Sequence, residues 1–100
     1  MILSFRDHGT ADVYNGRNTR AARQCLPENL WSVACRKLDM LNAAIKVADM
    51  RAPPGNRLEK LVGVTFVGLD VWSIRINDQY RVVFSFQGAN ALHVSCVDYH

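Results

Sequence analysis

The chain is predicted to be an α+β domain, with an N-terminal strand and helices packed on one face of a C-terminal antiparallel sheet. Three observations predict this. Trp31, Ala34, Leu38, Leu41 and Ile45 recur at three- and four-residue steps, the period of a helix with one apolar face. From Val71 onward the apolar period falls to two, the period of strands. Between them "RAPPGN", residues 51–56, places two prolines and a glycine where neither a long helix nor a central strand continues. Helices come first and strands after, so the helices should cover the apolar side of the sheet. With 100 residues, 49% of them hydrophobic, the chain reads as one domain over 1–100.

Each element follows from local chemistry. "MILSFR" is a short apolar run that reads as a strand. Asp7 is placed to cap a short helix through about Tyr14, closed by Asn15-Gly16. "RNTRAARQC" spaces Arg17, Arg20 and Arg23 three residues apart, so a helix there puts all three on one broad face. That face is either solvated or a phosphate-contacting patch. The next helix runs through "LPENLWSVACRKLDMLNAAI", with Pro27 in its first turn and Glu28 near its positive end. "KVADM" adds a further helical turn, and "KLVGVTFVG" adds a strand or hairpin ahead of the meander.

The meander has three strands. Trp72, Ile74 and Ile76 alternate with Val71, Ser73, Arg75 and Asn77. After "NDQ", Tyr80, Val82, Phe84 and Phe86 alternate with Arg81, Val83 and Ser85. After "QGAN", Leu92, Val94 and Cys96 alternate with His93, Ser95 and Val97. The second face therefore collects Ser73, Arg75, Asn77, Arg81, Ser85, His93, Ser95 and, by continuation, Tyr99. Such a face either meets water, as one side of a sheet commonly does, or binds an anionic, stackable ligand such as single-stranded RNA.

Composition excludes several classes. No apolar run approaches the roughly 20 residues that span a bilayer, and "MILSFRDHGT" breaks the apolar segment a signal peptide needs. The expectation is a cytoplasmic protein without membrane partners. Cys25, Cys35 and Cys96 are odd in number and widely spaced, which suits reduced thiols rather than a disulfide framework or zinc site. No HExxH, P-loop or GxGxxG occurs, so no cofactor is expected. Residues 1–60 hold 10 Lys/Arg against 6 Asp/Glu, and residues 61–100 hold 2 against 3. A basic first part suits a polyanionic partner.

The chain ends in Asp98, Tyr99 and His100, an acid, a phenol and an imidazole. Read in order, "SFRDHGT", "LDMLNAA", "RAPPGNRLEKL", "WSIRINDQYRVVF" and "VDYH" resemble the HigB-type toxins (plasmid maintenance system killer proteins), a branch of the RelE superfamily. The likeness runs over nearly the whole chain. It implies a compact α+β toxin of a type II toxin–antitoxin system. It further implies an endoribonuclease that cuts mRNA on the ribosome, inhibiting translation and growth. The implied partners are mRNA, the ribosome with its RNA, and a HigA-type helix-turn-helix antitoxin through which the toxin reaches operator DNA only indirectly.

The resemblance carries over to Asp98, Tyr99 and His100, to Arg81 in "QYR", and to Glu59, where some relatives have histidine. Two departures stand out. Val62 and Thr65 occupy positions where basic groups are usual, and "LVGVTFVGLDV" is about three residues longer than the family's segment. Either Lys60 or Arg57 replaces the missing phosphate-holding lysine, or cleavage is weak. Arg75, Arg20 and Arg23 are further candidates for RNA contact, as by charge alone are Arg17, Arg36 and Lys37.

The implied reaction needs no metal. The 2′-hydroxyl attacks the adjacent phosphorus and the 5′-oxygen leaves, which requires a base, an acid and positive charge on the phosphorane oxygens. His100 suits one proton-transfer role. Asp98 takes the other or orients the imidazole, with Glu59 a rival base. Arg81 stabilises the phosphate, and Tyr99 stacks on a base or donates a hydrogen bond. The alternative is a catalytically weak binding module that works with its antitoxin in repressing the operon.

Overall fold

Asp7 ends the extended start of the chain and begins the first helix. In the computed structural model, which describes residues 1–99, its carboxylate accepts from Thr10 N at 2.8 Å and caps α1, His8–Tyr14. Thr19 caps α2, Arg20–Cys25, by accepting from Ala22 N. A 3-10 turn over Glu28–Leu30 leads into α3, Trp31–Ala43. Gly9 lets α1 and α2 touch: a Cβ there would sit 2.6 Å from the Ala21 carbonyl oxygen. Further 3-10 turns cover Val47–Arg51 and Pro54–Asn56.

The second part of the chain is a four-stranded antiparallel meander, β1 Glu59–Phe66, β2 Leu69–Arg75, β3 Tyr80–Gln87 and β4 Asn90–Asp98, in that spatial order. Ala34, Leu38 and Leu41 of α3 pack with Ile74, Val82, Phe84 and Val94 in one buried cluster that also takes in Val13, Ala22 and Leu26. The N-terminal helices thus cover one sheet face, the predicted α+β arrangement. Burial of each large side chain here, such as Leu38 or Phe84, contributes about 1.5–3 kcal/mol.

Several expectations are corrected in detail. "MILSFR" forms no full strand. Ile2 and Phe5 make isolated parallel bridges to Ala91 and Val94, and Leu3 N and Arg6 N donate to the carbonyls of those residues. Arg17 lies before α2, not on its face. Ile45 falls outside the helical stripe at 70% exposure, because α3 ends at Ala43.

Two irregularities of pairing matter more. Val83 pairs with Ser95, but Ser85 pairs with Leu92, so His93 and Val94 together face Phe84. His93 takes a left-handed φ of 54° at this bulge. The alternation read from the sequence therefore fails before the bulge: Ala91 reaches the core and Leu92 turns to the other face. In β1, Lys60 pairs with Trp72 and Thr65 with Asp70, leaving residues 61–64 opposite Val71 alone. This loop-out, with Gly63 at φ 76°, accommodates the surplus of about three residues noted in the sequence.

Candidate active site

The face of the sheet away from the helices is built row by row. Glu59, Ser73, Val83 and Ser95 are successive cross-strand neighbours, and Arg75, Arg81 and Val97 form the next row. The expectation that all its polar residues meet water is corrected. Ser73 and Ser85 are fully buried and Ser95 nearly so. Ser95 Oγ donates to Asp7 at 2.8 Å. Ser73 Oγ, Ser85 Oγ and Arg81 Nε have no hydrogen-bond partner among the described residues.

Three candidate residues converge on this face. Tyr99 extends the β4 pairing by donating its N–H to Gln79 O at 2.7 Å. Its ring lies over Arg81, with Cζ 5.1 Å from the centroid. Its hydroxyl then reaches Glu59 Oε1 on the far strand at 3.5 Å, the long limit of a hydrogen bond. Glu59 is exposed and Arg81 half-buried, so a carboxylate, a phenol and a guanidinium border one patch.

The remaining candidates are placed as follows. Asp98 pairs with Tyr80, on the other side of the strand from Val97 and Arg81, and accepts from Gln79 Nε2 at 3.0 Å. His100 lies outside the described residues. Arg75 stands beside Arg81 in register and is ion-paired with Asp78. Lys60 shares the Trp72 side and pairs with Asp70 at 3.2 Å, so it does not join Arg81. Thr65 is opposite Asp70, also on that side, and Val62 stands on the loop-out at 95% exposure. Arg57 is exposed, with a left-handed φ of 48°, two residues before Glu59. Arg20 and Arg23 belong to α2 on the helix side, Arg23 bonded to Asn18 Oδ1 at 2.7 Å.

Sequence reasoning missed how much Lys37 and Asn56 contribute here. Asn56 is fully buried. Its Nδ2 donates to the carbonyls of Met50 and Ala52, each at 3.1 Å, and its Oδ1 accepts from Lys37 Nζ. That ties the proline loop to α3 and fixes the entry into β1, and so the position of Glu59. Burial, then the charges of Arg36 and Arg75, pushes the Lys37 ammonium below its usual range. Lys37 and Arg75 are thus near enough to repel; Arg75 is ion-paired with Asp78, and Arg81 is the guanidinium on this face that meets the Tyr99 ring. Among the described residues, no three His, Cys, Asp or Glu side chains stand close enough to hold a metal ion.

The family model for the RelE-like toxin HigB of type II toxin–antitoxin systems matches residues 3–100. The chain belongs to the HigB-like toxin family. It is 36% identical to Toxin HigB-1 of Vibrio cholerae serotype O1 over 94 residues, covering 93% of this chain and 92% of that protein. It is also 36% identical over 83 residues to an uncharacterized protein of Haemophilus influenzae, covering 83% of this chain and 76% of that one. As a HigB-like toxin, the chain is one half of a toxin–antitoxin pair, so an antitoxin is its partner. No helix among the described residues is long and apolar enough to cross a membrane.

Proposed function

We propose that this HigB-like toxin is an endoribonuclease that cuts mRNA in the ribosome by attack of the substrate's own 2′-hydroxyl, without a metal, and so arrests translation and growth. The observation that carries this reading is the meeting of Glu59, Arg81 and Tyr99, drawn from three separate segments, on one sheet face. The guanidinium of Arg81 holds the phosphate and stabilises its extra charge as the phosphorane forms. Glu59 takes the 2′-hydroxyl proton. Tyr99 stacks on a base or donates to the substrate. His100, next in the chain, protonates the leaving 5′-oxygen or exchanges roles with Glu59, and Asp98 acts on the imidazole. Arg75, Arg57 and Lys37 extend the positive path for the backbone, while Arg20, Arg23 and Lys60, on the helix side and the Trp72 side, take no part in it.

The partner antitoxin is read as a HigA-type helix-turn-helix protein, through which the pair reaches operator DNA. The second reading, a weak binding module working in autorepression, is favoured by one observation. Where the family resemblance leads to the expectation of a basic group, this chain has Val62, exposed on a loop-out.

Induced expression separates the two. Growth and message integrity are followed for the wild type, for Arg81→Ala and for a chain ending at Val97. Arrest with cleaved messages in the wild type, lost in both folded variants, is the expected result. Harmless expression of a folded wild type overturns the nuclease reading in favour of the binding module.

A further inference from the structure

The sheet face away from the helices carries a second pairing of a planar cation with an aromatic ring. Phe66 pairs with Leu69, which shares the sheet face of Val71 and Ser73, four residues along β2 from Ser73. At about 3.3 Å per residue this is roughly 13 Å from the Glu59–Ser73 row. Phe66 is half-buried yet does not pack against the hydrophobic core. The guanidinium of Arg6 lies over its ring, with Cζ 4.2 Å from the centroid. The imidazole of His93 meets the same ring edge-on, at 6.1 Å and 82°.

His93 occupies the left-handed position of the β4 bulge, and its N–H donates to Ser4 Oγ at 2.9 Å. Bulges of this kind re-aim a side chain at a local conformational cost. Here the bulge brings an imidazole to Phe66. A cavity of about 320 Å³ adjoins Arg6 and is lined by Phe5, Arg6, Asp7, His8 and Ala11. Ser73 and Ser85 lie between the two cation–aromatic pairs but are fully buried, so the accessible groups at this second pair are the exposed Arg6 and the half-buried Phe66 and His93. An aromatic ring kept out of the core, flanked by a guanidinium and an imidazole on a strand-spanning face, is the arrangement that stacks unpaired bases and holds a phosphate beside them.

We infer that Arg6, Phe66 and His93 form a second nucleotide subsite, which stacks an unpaired base of the RNA a few nucleotides from the bond aligned at Arg81 and Tyr99. This inference rests on the nuclease reading and deepens it: the substrate is a single strand long enough to cross the whole sheet face.

The test is binding of fluorescent 2′-O-methyl RNA, which cannot be cut, to the full chain. A single-stranded decanucleotide is compared with a dinucleotide. Phe66→Leu and Arg6→Gln are expected to weaken the decanucleotide about tenfold, the size expected for losing one stacked base. The dinucleotide should be held equally by all, and Phe66→Tyr should restore the long strand. Arg6→Gln guards against misfolding, since its side chain is exposed. Unchanged decanucleotide binding in both variants, equal losses at both lengths, or no decanucleotide binding by the wild type would each overturn the subsite. The nuclease reading is judged separately by message cleavage on induction, so a toxin that cuts normally without Phe66 refutes the subsite alone.

Discussion

Tyr99 lies over Arg81 and reaches Glu59, so a residue beyond the end of β4 touches the side chains of β3 and of β1, the strand at the other edge of the sheet. Tyr99→Phe keeps the ring over the guanidinium and removes only the hydroxyl. It is expected to slow RNA cleavage less than Arg81→Lys, which keeps the charge but loses the planar fork and should cost about 10²-fold or more. Glu59→Gln should cost about 10²–10⁴-fold if that carboxylate is the base. Single-turnover cleavage of a ribosome-bound message ranks the three.

Asn56 predicts a structural effect felt at the site. Asn56→Ala leaves the carbonyls of Met50 and Ala52 and the Lys37 ammonium without that partner. The expected loss is about 1–3 kcal/mol, a fall in Tm of several degrees for a domain of this size. Calorimetry measures it. The same variant should lower cleavage through a loosened Glu59.

Asp7 ties three elements together, accepting from Thr10 N, Thr10 Oγ1 and Ser95 Oγ. Asp7→Ala removes the α1 cap, worth about 1 kcal/mol, and leaves the buried Thr10 and Ser95 hydroxyls short of an acceptor. Chemical denaturation is expected to show a loss of about 2–3 kcal/mol in all.

Tyr14 supplies a pH dependence. Its hydroxyl donates to Asp39 Oδ1 at 2.9 Å. Burial, then that bond and the Asp39 charge, and last Cys35, push the phenol above its ordinary 10.0. The native state therefore holds this proton more tightly than the unfolded chain. The associated stability is fully present below pH 10 and is lost as pH rises through the raised value. Tyr14→Phe should flatten that alkaline decline in urea midpoints measured from pH 8 to 11.

The loop-out of β1 predicts a tolerated deletion. Removing Val62–Val64 leaves Leu61 opposite Val71, with Lys60 and Thr65 keeping their partners Trp72 and Asp70. The shortened chain is expected to fold, with Tm within about 5 °C of the original. It should aggregate less, because Val62 and Val64 leave the exposed edge. Thermal scans and light scattering check both.

The meander was legible because side chains of β2 and β3 alternate without interruption, and the caps at Asp7 and the turn at Asn15 were legible from short-range chemistry. The end of α3 was not, since Ile45 continues the apolar period while backbone geometry stops at Ala43. Nor was the bulge at His93, because one extra residue changes which face Leu92 takes without altering composition. At the site, Glu59 and Arg81 follow from the family likeness. The joint placement of Lys37 and Asn56 depends on packing between α3 and the proline loop, which no local pattern encodes. The separation of Asp98 from Arg81 follows from alternation itself: Tyr99 and Val97 take one side of the strand, and Asp98 takes the other.

Residues 1–6 dock against 91–94, some 88 positions further along the chain. Closing so long a loop is entropically costly, and each doubling of its length adds only about 0.6 kcal/mol to a cost that must be met at the start. During synthesis residues 1–6 have no place to settle until β4 emerges, and the α1 clamp on Ser95 waits with them. Assembly of the toxin is therefore expected to complete only once β4 is made. An interrupted chain that stops before β4 lacks both the last strand and the seat for its own beginning, and is expected to reach proteases unfolded rather than persist as a partly active poison.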